Sequence, residues 1–174
     1  MQNTNNYNEE NMKLIKSFIS YMKEKYGIDY LNDSRYIGMM YYGSRLTGNY
    51  NKTSDLDLCI ICDSESDEEY KGVVTINGID VEYIEKREAS IYSTIDNDYK
   101  SRNSFPKSAY SRACVIFEKN NCISNIKEYV NRLYNKDFEL PLDGEILDDL
   151  TVINNRILDL KSLNRYTDNS FDIL

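Results

Sequence analysis

MYYGSRLTGNYNKTSDLDLCII, residues 40–61, is the stretch from which the fold of this chain is read. An apolar run from Tyr36 to Tyr42 ends at Gly43-Ser44. A second glycine, Gly48, and a polar loop from Asn49 to Thr53 follow, and Asp55-Leu56-Asp57 then enters a new apolar run that reaches Ile61. The two runs read as strands. Residues two apart in a strand project from the same face, so Asp55 and Asp57 share one face while Leu56 and Leu58 point the other way, into a core. Two adjacent carboxylates facing water suit Mg²⁺, a hard cation that takes oxygen ligands and commonly shares them with phosphates. At the other end of the loop, a strand that stops at Gly43-Ser44 frees backbone N–H groups beside a hydroxyl, and such groups cradle phosphate. The competing reading is a plain strand–turn–strand with a solvated acidic end, which would leave the spacing of glycines and aspartates a coincidence.

Gly43, Ser44, Gly48, Ser54, Asp55, Leu56 and Asp57 together resemble the signature of the polymerase-beta-like nucleotidyltransferases. The Gly43-Ser44-Arg45 opening is similar to that of antibiotic-modifying and minimal bacterial members, although Thr47 stands where many of these carry a basic residue. The resemblance implies an α/β (α+β) fold, a small mixed sheet with helices packed on one face. It implies metal-dependent transfer of a nucleoside monophosphate from a nucleoside triphosphate, expected to be ATP, to an acceptor hydroxyl. Asp55 and Asp57 would hold Mg²⁺ in a two-metal site. Gly43 and Ser44 would seat the β- and γ-phosphates, with Ser54 completing the motif, and Arg45 either adds positive charge there or lies on the surface. The family also needs a third carboxylate on the strand beside Asp55 and Asp57. Asp80 matches the hydrophobic–acid–hydrophobic pattern in Ile79-Asp80-Val81, and Glu82, one pleat on along the same face, is the alternative. Asp80 would complete a second metal position or take the proton from the hydroxyl. A fold of this kind that binds nucleotide or a partner without catalysis is the rival class, and the three intact acids argue against it.

Composition narrows the acceptor. The chain has 174 residues and a formal net charge of −8. Nucleic-acid binders show a basic face because they neutralise phosphates, and no Lys/Arg cluster of that kind is present. Nucleic acid is therefore disfavoured against a cationic small molecule, such as an aminoglycoside, or a protein. Antibiotic-modifying members of the family usually carry a larger helical domain that completes the acceptor pocket, whereas only about thirty residues follow Pro141 here. A homodimer or a protein acceptor would supply the missing wall. With no histidine in the chain, His bases, His metal sites and Ser-His-Asp triads are ruled out. Cys59-x-x-Cys62 looks like half a zinc site, but residues three apart on a strand face opposite sides, and reduced buried thiols are the better reading. No apolar run is long enough to span a membrane, and the polar, acidic start is unlike a signal peptide, so the cytoplasm is the expected compartment.

Outward from the central stretch, Leu14, Ile15, Phe18, Ile19 and Met22 recur at helical spacing in Glu9 to Lys25, a packing helix stopped by Gly27. Asp63 to Tyr70 holds five acids and no base and reads as a solvated loop or short helix. Gly72 to Glu85 alternates on both sides of Asn77-Gly78 and predicts a hairpin with a type I′ turn. Helices are expected over Arg87–Asp96 and Ala109–Ala113, joined by a loop containing Pro106. A short strand, Val115–Phe117, and a helix bearing Ile123, Ile126, Val130 and Leu133 come next. Pro141 breaks the chain, which divides the reading into a catalytic domain, residues 1–140, and a helical appendage, residues 141–174. In the appendage, Ile146, Leu150, Ile153, Ile157 and Leu160 follow one another at spacings of 4, 3, 4 and 3. Such a stripe is an intramolecular packing face or, alternatively, a homodimer seam.

Overall fold

The computed structural model describes residues 4–51, 53–63, 69–138, 140 and 142–168. Of the acid-rich stretch, residues 64–68 lie outside the described residues. The chain divides into two compact units, residues 1–138 and 139–174. In the first unit the elements run α1 (Thr4–Tyr26), β1 (Tyr36–Tyr42), α2 (Ser44–Thr47), β2 (Leu56–Cys62), β3 (Tyr70–Ile76), β4 (Ile79–Arg87), α3 (Glu88–Lys100), α4 (Phe105–Ala109), β5 (Cys114–Glu118) and α5 (Cys122–Tyr134). The second unit is the helix α6 (Asp143–Asp168). The central stretch thus forms β1, a single helical turn and β2, as its apolar runs and glycines require.

The five strands make one sheet in the order β3-β4-β2-β1-β5. β2 and β4 are parallel, and every other neighbouring pair is antiparallel. The sheet is therefore mixed. Asn77 and Gly78 both have positive φ, 53° and 81°, which is the geometry of the type I′ hairpin joining β3 to β4. The parallel register is the one that matters for chemistry: Leu56 lies beside Val81, and Asp57 beside Glu82.

Helices cover both faces of the sheet, not one as the sequence suggests. On one face Leu14, Ile15, Phe18 and Met22 of α1 pack with Met39, Tyr41, Leu56, Leu58, Ile60, Val81 and Tyr83. On the other, Ile91 and Ile95 of α3, Ala109 of α4, and Ile123, Ile126 and Val130 of α5 pack with Met40, Cys59 and Ile61. The strands β1 and β2 are apolar on both sides because both sides are buried, which is why their sequences are continuous apolar runs and not alternations. Cys59 belongs to one core and Cys62 packs against the other. Pro106 sits in the first turn of α4, where its fixed φ and missing N–H suit a helix start; the helix expected over Ala109–Ala113 accordingly begins and ends earlier. Among the described residues no helix is long and apolar enough to cross a membrane.

Candidate active site

Along β2 and β4 the side chains on the α3–α5 face form cross-strand rows. One row runs Val73, Glu82, Asp57, Tyr42 across β3, β4, β2 and β1. Asp55, in the loop just before β2, projects from the same side two residues earlier. Asp55, Asp57 and Glu82 each bring a carboxylate oxygen to within 4.8 Å of the other two. Asp80, the acid expected to complete this group, is not one of these three. It shares the face but sits one pleat nearer the hairpin turn, opposite Thr75, whose hydroxyl donates to its carboxylate at 2.7 Å. The parallel register sets Glu82 and not Asp80 beside Asp57.

The electrostatics follow from that crowding. Burial, reinforced by the charges of Asp55 and Glu82, pushes the Asp57 carboxyl up to about 6. Three carboxylates this close repel one another until a cation intervenes, and a divalent ion with oxygen preference matches the donor set. The residues present therefore fit such an ion.

Gly43 closes over the same acid. It has φ +84°, and a Cβ built on it would stand 2.0 Å from Oδ2 of Asp57. Only glycine permits both the backbone conformation and the approach. Ser44, half-buried, opens the α2 turn immediately after it. Two further residues of the sequence motif do a different job. Arg45 is 2% exposed. Its Nε donates to the Ser54 carbonyl at 2.8 Å, its Nη1 to Oδ1 of Asn11 at 3.3 Å, and its guanidinium lies 4.7 Å from the centre of the Tyr50 ring. Asn11 in turn donates to the Arg45 carbonyl at 3.1 Å. Arg45 is thus not a surface residue; it ties α1 to the loop that delivers Asp55. Ser54 works within that loop, its Oγ accepting from the Asn51 backbone N–H at 3.1 Å.

A cleft of about 580 Å³ adjoins the carboxylates, with Asp57 and Glu82 in its lining. Tyr42, Phe105 and Tyr110 form its aromatic side, packed edge to face with ring centres 5.9–6.2 Å apart. Phe105 remains 47% exposed. Lys71 and Lys86 also line it. Lys86 is nearly buried and pairs with Glu69 at 2.7 Å, and the exposed Lys71 stands 3.9 Å from the same carboxylate. None of these five residues is singled out by the sequence motif. Lys86 was within reach of the β4 alternation, since 80, 82, 84 and 86 share a face; the aromatic side depends on how α4 docks and left no sequence signal.

A carboxylate cluster on adjacent strands, capped by a glycine-serine turn and opening on a cleft with aromatic and cationic walls, is a site shaped for phosphate ester chemistry. Residues 15–121 match the nucleotidyltransferase domain, and the chain belongs to that family. A nucleotidyltransferase-like protein from Exiguobacterium sibiricum is similar in structure at a TM-score of 0.48 and 16% identity, over 66% of this chain and 38% of that one. No curated protein sequence matches this chain.

Proposed function

We propose that this nucleotidyltransferase moves a nucleoside monophosphate from ATP to a hydroxyl of a small cationic acceptor and depends on a divalent cation, Mg²⁺ first. The observation that supports this most directly is the convergence of Asp55, Asp57 and Glu82 within 4.8 Å of one another at the edge of the cleft. Asp55 and Asp57 hold the cation, and Glu82 either completes a second position or takes the acceptor proton. When bound, the cation neutralises charge on the triphosphate and on the leaving pyrophosphate. Gly43 and Ser44 bring backbone N–H groups toward the phosphate tail, and Lys71 and Lys86 offer positive charge in the same cleft. Phe105 gives the base a face on which to stack. The acceptor oxygen attacks the α-phosphorus, the bond to the pyrophosphate oxygen breaks, and the acceptor proton passes to a carboxylate.

The acceptor reading rests on charge. A net charge of −8 attracts polycations such as aminoglycosides and repels nucleic acid. The cytoplasm is the compartment this reading assumes, where ATP is at hand and the four free cysteines stay reduced. The deciding experiment incubates the protein and Mg²⁺ with each labelled nucleoside triphosphate against aminoglycosides, lincosamides and a cell lysate. A gain of one nucleoside monophosphate by a drug supports the proposal. Label on a lysate protein with every drug unmodified replaces the acceptor, and no transfer at all to any acceptor leaves a nucleotide-binding module.

A further inference from the structure

We propose that α6 is a self-association element, in which two copies of this chain pair their α6 helices antiparallel. Ile146, Leu150, Ile153, Ile157 and Leu160 lie between 42% and 65% exposed. Their alternating spacing of four and three is the seam of a two-stranded coil. A lone helix with an apolar seam is marginal in water, and a second helix of matching period would bury it.

Charge identifies that helix as another α6 and sets its direction. The first two turns carry Asp143, Glu145, Asp148 and Asp149 and no base, whereas the later turns carry Arg156, Lys161 and Arg165 against Asp159 and the terminal Asp168. An antiparallel pair that sets Ile146 opposite the partner's Ile157, and Leu150 opposite the partner's Ile153, brings the acidic end of each helix against the basic end of the other. In that register Asp149 flanks the partner's Arg156, and the twofold axis repeats the contact. A parallel, in-register pair instead places Arg156 beside the partner's Lys161, two like charges at the seam edge. The same residues that attract in one orientation repel in the other.

Sedimentation equilibrium of the full chain tests this, with circular dichroism to confirm that each variant keeps its helix content. The wild-type chain is expected to be a dimer in the micromolar range, and Ile153→Asp to be a monomer. Arg156→Glu turns two attractive contacts into two repulsive ones and should weaken dimerisation about tenfold. The charge-exchanged chain, Asp149→Arg with Arg156→Glu, should recover the wild-type constant to within about threefold. A parallel pair predicts the opposite, since Arg156→Glu would then tighten it. A wild-type chain that stays monomeric at 100 micromolar, a tighter Arg156→Glu dimer, or an exchanged chain that fails to recover each overturns the proposal.

Discussion

At Asp57, burial and two neighbouring carboxylates raise the acid from 3.8 to about 6, so the metal-free folded protein holds a proton that the unfolded chain has already released. A folded-state value above the unfolded one contributes stability that is complete below pH 4 and is lost as the pH rises through 6. The melting temperature of the metal-free protein should therefore fall between pH 4 and 7. Mg²⁺ should restore it at neutral pH, and Asp57→Asn should flatten the decline while reducing nucleotidyl transfer to background. Superimposable melting profiles for the wild type and Asp57→Asn would show that the crowding is not felt. The neighbouring acids separate just as sharply. Glu82→Gln should lower kcat by roughly 10²–10⁴, the range of a lost general base or ligand. Asp80→Asn keeps an oxygen to accept from Thr75 and should leave kcat within a few-fold. The reverse ranking in steady-state rates would return the third carboxylate to Asp80. Both acids sit on one face of one strand with apolar neighbours, so the choice between them was open in the sequence. Strand register is set by long-range pairing, which no local pattern reports.

The loop between β1 and β2 is the element on which the site depends, because it must present Asp55 while Gly43 clears Asp57. Arg45 braces it through the Ser54 carbonyl and Asn11. Arg45→Ala should cost about 2–4 kcal/mol, for a large buried side chain and its hydrogen bonds. It should lower kcat through a displaced Asp55 and also shift the urea midpoint. Were Arg45 a phosphate ligand, the variant would instead raise the KM for ATP and leave the urea midpoint unchanged. Strands β1, β2 and β4 and the Asn77-Gly78 turn were legible because local patterns dictate them: apolar runs, alternation and a turn dipeptide. The role of Arg45 was not, because burial of an arginine depends on Asn11, thirty-four residues away. The short helix α4 was misplaced for a similar reason, since Pro106 reads as a loop marker unless it falls in a first turn. What the motif could deliver was the site's acids and glycines; what the tertiary packing delivered was the wall of Tyr42, Phe105 and Tyr110.

Across the molecule, net charge and the local cleft work at different ranges. Lys71 and Lys86 act at contact distance within the cleft, whereas the net charge of −8 sets a field that reaches a Debye length, about 10 Å at 0.1 M salt. In the proposed function the nucleotide would feel the first and the acceptor the second. ATP with Mg²⁺ should raise the melting temperature by mass action, corresponding to about 2.7 kcal/mol at a hundredfold excess over Kd. ATP with EDTA should do far less, because the triphosphate then meets three unscreened carboxylates. An equal shift in both would mean that the phosphates are held without Asp55 and Asp57. For a polycationic acceptor the KM should rise steeply between about 0.05 and 0.5 M salt, as screening shortens the field to a few ångströms. The KM for Mg²⁺-ATP, a ligand whose charge is roughly halved by its own cation, should change less over the same range. Measuring both constants in one salt series separates steering from occupancy of the cleft. An acceptor whose KM ignores salt is not recruited by the acidic field, and the choice of a cationic substrate would fall with it.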